Sequence, residues 1–227
     1  AKETSVSLII PISDKIIFAS TSSCLILLIA IFKASLEPWT SDLIIILSSF
    51  LFLRVKKSGE DVRFKKIKHS FSWFLMTFML QGMWVFMCIF PALIVISSFN
   101  SEINNYAIVG SAVWLFGFLF EIVADNQKSN FNKFNKGKFI STGLWSMTRH
   151  PNYFGEFILW LGITIASLGY IDNYKYILLL TPIFVYLLLT RVSGVNLLEE
   201  IGEKRWGDSK EYQKYKEKTP LFFPKIF

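Results

Sequence analysis

The chain has 227 residues, of which 52% are hydrophobic and only 18% are charged, and its formal net charge is +7. Soluble domains carry about 25% charged residues, so this composition leaves too little polar surface to cover a water-soluble globule. The Lys and Arg residues border long apolar segments, which favours contact with anionic lipid headgroups and argues against a nucleic-acid partner. The sequence therefore predicts an integral membrane protein.

Six apolar segments approach or reach the roughly 20 residues that a bilayer-spanning helix needs. They cover residues 16–32, 39–53, 71–98, 106–123, 153–170 and 176–191. Residues 5–12 are apolar but too short to cross, and we interpret them as the remnant of a seventh helix. Because a backbone in lipid must satisfy its own hydrogen bonds, and because these runs exceed ordinary strands, we expect helices. The prediction is an all-α polytopic bundle of about six helices, or seven, forming a single domain over residues 1–227.

Basic residues occur in alternate loops. Residues 54–68 carry seven Lys and Arg, residues 124–150 carry five, and the tail from residue 197 carries seven, whereas residues 100–105 carry none and residues 171–175 carry one. Positive charge marks cytosolic loops. With six spans, all three basic segments and both termini face the cytosol, in the cell inner membrane or the endoplasmic reticulum.

The cysteines and histidines do not indicate a metal site. Cys24 and Cys88 both lie in apolar segments without the CxxC spacing of a zinc site, so we expect two buried thiols and no disulfide. His69 and His150 lie in different loops. Nothing before Ser5 resembles the basic start of a signal peptide. In the tail, the polar residues 197–219 predict one further helix, either solvated or lying at the membrane interface.

Two groups of polar residues precede the fifth span. Glu121 and Asp125 are four residues apart, so they share one helix face near the end of the fourth span. A carboxylate at membrane depth is costly and indicates function, although both residues could be ordinary end caps at the headgroup level. The segment 135–138, Asn-Lys-Gly-Lys, could hold a phosphate on Lys138 and on backbone N–H groups, but a basic loop explains it as well.

The segment 148–156 carries the sharpest pattern in the chain. Arg149 offers a planar fork for a phosphate or carboxylate. Asn152 and Glu156 are four residues apart, which predicts one polar stripe pointing into the bundle. A structural helix cap would not need the buried Glu156. Tyr153 is the one aromatic hydroxyl of the segment and is either a proton donor or an interfacial anchor.

These residues resemble a known family. RHPNYFGE, with GLW before it, is similar to the membrane reductase superfamily that contains the steroid 5-alpha-reductases, and most of all to its uncharacterised branch, a domain of unknown function. Further similar segments are ADNQK at 124–128, LQG at 80–82 and the tail from Tyr212 to Pro224. The resemblance covers about residues 54–227. It implies a helical bundle that holds NADPH and reduces a carbon–carbon double bond of a small lipid-like substrate entering from the membrane.

The resemblance also implies residue roles, in a cofactor-binding half over about residues 106–227. Asp125 and Asn152 match positions that bind the nucleotide, and Glu156 matches a glutamate that lines the same pocket. Lys138 matches a basic residue near the phosphates. Glu121 stands where the family has an asparagine.

Two features are particular to this chain. Arg149 belongs to the motif of the uncharacterised branch, and its chemistry assigns it to phosphate. The tyrosine with which steroid reductases polarise a ketone falls near Leu51, which has no proton to give, and the first two spans hold no Gln-Glu pair. A true steroid substrate is therefore not expected.

Two alternatives remain open. Isoprenylcysteine carboxyl methyltransferases carry a similar RHPxYxG segment and a later glutamate pair, which together bind S-adenosylmethionine, and Glu199-Glu200 follow the sixth span at a similar place. A solvated helix start would explain that pair equally well. ADNQK and LQG favour the reductase. A non-enzymatic lipid-binding membrane protein would bind neither cofactor. Beyond the bilayer and its substrate, no obligate protein partner is expected.

Overall fold

The computed structural model describes residues 69–98, 102–171, 173–192 and 194–225. Within these ranges it is helical and has no strand. The α-helices are α1 (Phe71–Ser97), α2 (Asn105–Phe134), α3 (Pro151–Ser167), α4 (Leu180–Leu187), α5 (Val195–Trp206) and α6 (Lys210–Lys218). Shorter 3-10 turns are Gly143–Ser146, Leu168–Tyr170 and Lys175–Leu179, and the π-helical turn Leu188–Val192 follows α4.

Four helical segments are long and apolar enough to cross a membrane, consistent with a membrane protein. They are Phe71–Val95, Asn105–Phe134, Pro151–Tyr170 and Lys175–Trp206. These segments correspond to the third to sixth predicted spans. The first two predicted spans, residues 16–32 and 39–53, lie outside the described residues. The total of six or seven spans and the side on which the termini lie therefore stay predictions.

Two elements differ from the sequence-based expectation. Hydropathy ends the fourth span at residue 123, but α2 continues to Phe134. Hydropathy detects the apolar length of a helix, and residues 124–134 are mostly polar, so the extension carries no continuous apolar signal. The tail was expected to form one helix, but it forms α5 and α6. The break falls at residues 207–209, where the Ser209 side chain accepts a hydrogen bond from Tyr212 N and caps α6.

Helices α2 and α3 run antiparallel with their backbones in close contact. A Cβ atom on Gly162 would lie 2.4 Å from the backbone N of Trp114, and one on Gly155 would lie 2.8 Å from the backbone N of Glu121. Small residues allow this approach, as they do in membrane helix pairs generally. The contact fixes the position of Glu121 on α2 against the first turns of α3.

Helix α3 is the centre of the described bundle and packs against α1, α2 and α4. Its Leu159, Trp160 and Ile163 are fully buried. Cys88 of α1 is buried in the same core, as predicted for this thiol, whereas Cys24 lies outside the described residues. Large apolar side chains of α1 and α2 are exposed on the outer surface, which suits contact with hydrocarbon.

Candidate functional site

Four polar side chains meet where α2 lies against the start of α3. Glu121, Asn152 and Glu156 are each no more than 2% exposed, and Glu121 interacts electrostatically with Glu156 and with the partly buried Asp125. We call these four residues the polar cluster. The inward stripe predicted for Asn152 and Glu156 is confirmed. Glu121 is not an end cap, because α2 continues well beyond it.

The hydrogen bonding of the polar cluster is incomplete. Both side-chain atoms of Asn152 and one carboxyl oxygen of Glu121 are buried without a hydrogen bond to any described residue. Leaving a buried polar group unsatisfied costs about 1–3 kcal/mol, so folded proteins normally pair such groups with protein, water or ligand. The Asn152 amide offers two N–H donors and a carbonyl acceptor, and the carboxyl groups of the cluster offer acceptors. The cluster therefore has the chemistry of a ligand-binding site.

The loop between α2 and α3 folds back onto α2 through side chains of the ADNQK and GLW segments. Gln127 Oε1 accepts a hydrogen bond from Leu144 N at 2.9 Å, and Trp145 Nε1 donates to Ala124 O at 3.1 Å. Gly143 has φ +64°, and a Cβ there would lie 2.5 Å from Gln127 Oε1. A glycine is therefore needed at residue 143. Two segments that are separate in sequence are one structural unit beside the polar cluster.

Arg149 and His150 both bind Glu199 of α5. Arg149 Nη1 donates to one carboxyl oxygen, and His150 Nε2 lies 2.8 Å from the other. The Arg149 side chain is only 15% exposed. Helix α5 returns to this end of the bundle and covers Arg149.

The surroundings of His150 determine its protonation state. Burial lowers the pKa of His150, although its hydrogen bond to Glu199 acts in the opposite direction. The imidazole is therefore neutral near pH 7, and the contact with Glu199 assigns the proton to Nε2. Among the described residues, no group of three or more His, Cys, Asp or Glu side chains could hold a metal ion.

The glutamate pair separates into two different environments. Glu199 binds Arg149 and His150, so a purely solvated helix start does not describe it, whereas Glu200 is exposed. Arg149 Nε is buried and has no hydrogen bond to a described residue. Arg149 therefore keeps at least one donor for a ligand even while Glu199 holds it.

Tyr153 and Lys138 are the remaining predicted residues. Tyr153 is 4% exposed and its ring stacks on His150 with centroids 5.8 Å apart, so a role as an interfacial anchor was wrong. A Cβ on Gly194 would lie 3.2 Å from the Tyr153 ring, which places Tyr153 beside the segment before α5. Lys138 is exposed on the turn after α2, where its N–H donates to Asn135 O at 3.2 Å.

A family model described as "Protein of unknown function (DUF1295)" matches residues 39–219. This chain belongs to that family. The match includes all six described α-helices, and it confirms the resemblance to a domain of unknown function. The link from DUF1295 to the steroid 5-alpha-reductases stays a prediction. No curated protein and no solved structure matches the chain significantly.

In this DUF1295 chain, the C-terminal residues 220–225 contact the RHP motif, and the sequence analysis did not predict this contact. Arg149 N donates to Pro220 O at 2.9 Å, and Lys225 N donates to Met147 O at 2.9 Å. Thr148 Oγ1 donates to Phe222 O at 2.9 Å. The C-terminal segment therefore fixes residues 147–149, at the start of the RHP motif, by hydrogen bonds. The resemblance of the tail was the only signal, and it did not indicate what the tail contacts.

Proposed function

We propose that this protein is a membrane-bound, NADPH-dependent reductase that acts on a carbon–carbon double bond of a lipid-like substrate. The observation that carries the proposal is the buried, incompletely bonded polar cluster around Asn152. Its carboxyl and amide oxygens suit a ligand rich in hydrogen-bond donors, such as the ribose hydroxyls and the carboxamide of a nicotinamide nucleotide. Bound NADPH would supply the hydride for the reduction.

The phosphates of such a cofactor need positive charge at the same end of the bundle. Arg149 keeps its Nε donor, and Lys128 lies over the Trp145 ring at 5.2 Å from the ring centroid. The exposed Lys138 extends from the same loop. Glu199 holds Arg149 in place and neutralises part of its charge. The positive-inside rule puts this basic end in the cytosol.

Reduction of a double bond also needs a proton, and Tyr153 is our candidate for its source. The Tyr153 side chain is buried and its ring stacks on His150, which keeps bulk water away from it. The neutral imidazole can exchange a proton with its surroundings. The burial of the polar cluster likewise excludes water, which protects a hydride donor from side reactions.

A second function is favoured by two specific observations. The three carboxyl groups of the polar cluster suit a cationic ligand, and S-adenosylmethionine carries a sulfonium and an ammonium group. The contact of Arg149 and His150 with Glu199 also joins the two segments that the methyltransferase resemblance pairs. S-adenosylmethionine has no phosphate, however, so it leaves the basic groups of this end unexplained.

Isotope labelling separates these functions in one assay. Purified protein in detergent would be incubated with a membrane lipid extract and with NADPH deuterated at the transferred position, or with S-adenosylmethionine carrying a deuterated methyl group. We expect a lipid that gains one deuterium from NADPH and one hydrogen from solvent. A labelled methyl group on the lipid would support the methyltransferase instead. Absence of both products would leave a lipid-binding role.

Two variants control this assay. Asn152→Leu should abolish labelling, because leucine has a similar size but cannot bond the cofactor. Asn126→Leu alters an exposed asparagine of α2 and should leave labelling unchanged.

A further inference from the structure

A cavity lies outside the polar cluster, between the loop that precedes α3 and helix α6. Its volume is about 650 Å³. Lys214 and Lys218 line it from α6, Lys225 from the C-terminal segment and Ser141 from the loop. We call this cavity the basic cleft. It shares no lining residue with the polar cluster.

The basic cleft concentrates positive charge that the protein does not neutralise. It contains three lysines and a single acidic residue, Glu211. None of the three lysines forms a salt bridge with a described residue. On the opposite side of α6, Lys216 binds Glu203 at 2.6 Å. On α6, Lys216 therefore forms an ion pair with α5, whereas Lys214 and Lys218 remain available to a ligand.

The walls of the cleft are held in place before any ligand binds. Tyr215 Oη donates to Trp145 O at 2.6 Å, and the backbone of Lys225 is fixed by its bond to Met147 O. The Phe139 ring packs against Tyr215 with centroids 5.6 Å apart. A ligand would therefore meet a preformed site and lose little free energy in ordering it.

We propose that the basic cleft binds the phosphate group of a phosphate-bearing small molecule. Three ammonium groups and the Ser141 hydroxyl are donors, and a phosphate presents only acceptors and negative charge. The volume lies within the roughly 300–1,000 Å³ of small-molecule sites, so the ligand carries groups beyond the phosphate itself. Either a nucleotide or the headgroup of an anionic lipid has this chemistry. The inference goes beyond the proposed reductase and does not depend on it.

The test compares two triple variants with the same loss of charge. Lys214→Gln/Lys218→Gln/Lys225→Gln removes the ammonium groups of the cleft. Lys133→Gln/Lys204→Gln/Lys210→Gln removes three exposed lysines that do not line it. The probes are adenosine 2′,5′-bisphosphate and short-chain phosphatidic acid, with short-chain phosphatidylcholine as the neutral control. Binding is read as the rise in melting temperature with probe concentration.

We expect the cleft variant to bind at least one phosphate probe about tenfold more weakly or worse, and the control variant to bind as the unaltered protein does. A selective loss of the bisphosphate identifies a nucleotide, and a selective loss of phosphatidic acid identifies a lipid headgroup. Equal affinities in the two variants, or no stabilisation of the unaltered protein by either probe, would overturn the proposal. Labelling from deuterated NADPH, measured separately, would show whether the reductase proposal survives.

Discussion

Replacing Gly155 by alanine is expected to push α2 and α3 apart beside the polar cluster. The added Cβ would lie 2.8 Å from Glu121 N and 2.9 Å from Gly117 O. Ordinary contacts of a Cβ begin at 3.4 Å, so each of these distances must lengthen. Both contacts are with backbone atoms, and no side-chain rotation can relieve them. The helices themselves must therefore move.

The expected change in the free energy of unfolding follows from two opposing effects. Overpacking costs about 1–3 kcal/mol, whereas alanine is favoured over glycine in a helix by about 1 kcal/mol. Gly82 of α1 is the matched control, because a Cβ there would meet nothing within 4 Å. Gly155→Ala should therefore be less stable than Gly82→Ala by about 1–3 kcal/mol, or about 2–12 °C in melting temperature for a chain of this size.

The assay is thermal unfolding of both variants in one detergent. Gly162→Ala, with its closest contact at 2.4 Å, should melt lowest of the three. If Gly155→Ala melted at or above Gly82→Ala, the close approach of α2 and α3 would be wrong.

Three further predictions concern the contact between α5 and the RHP motif. Glu199→Gln should lower the free energy of unfolding by no more than about 1.5–3 kcal/mol, because Glu199 is partly exposed. Glu200→Gln, at an exposed position, should change it by about 0.5 kcal/mol or less. A double-mutant cycle of Glu199→Gln with Arg149→Gln should give a coupling energy of about 0.5–3 kcal/mol, and zero coupling would refute the contact. For His150, burial lowers the pKa below the unfolded value of about 6.5, so the unfolded chain binds more protons than the folded one. The contribution of His150 to the free energy of unfolding is therefore complete above about pH 6.5 and is lost as pH falls through the folded pKa. The melting temperature should fall less between about pH 7.5 and 5.5 in His150→Gln than in the unaltered protein, and equal slopes would contradict the assignment.

The local sequence pattern was sufficient to predict helix α1 and the burial of Asn152 and Glu156 on one face of α3. Helix α1 ends at Ser97, one residue from its predicted end, because its sequence is apolar over almost its whole length. Asn152 and Glu156 are buried together because a four-residue spacing fixes one helix face. Both features depend only on neighbours along the chain, and the sequence contains all the information needed.

Contacts between distant segments could not be predicted in the same way. Glu199 is 50 residues from Arg149, and no local pattern in either segment places α5 at the start of α3; only the methyltransferase resemblance paired the two segments. The polar extension of α2 and the pairing of Thr148 with the tail depend on the tertiary fold, which periodicity does not encode. The basic cleft was missed for the same reason, because its lysines come from α6 and from the C-terminal segment.

The most direct test of the cofactor site is the binding of NADPH to Asn152→Leu, measured by titration calorimetry together with its melting temperature. Since Asn152 makes no side-chain hydrogen bond to a described residue, leucine should leave the fold as stable as before or more stable, by up to about 1–3 kcal/mol. NADPH should bind the unaltered protein and Asn126→Leu alike, and should bind Asn152→Leu about tenfold more weakly or worse. Unchanged NADPH affinity in Asn152→Leu, or binding of S-adenosylmethionine but not NADPH by the unaltered protein, would contradict the account.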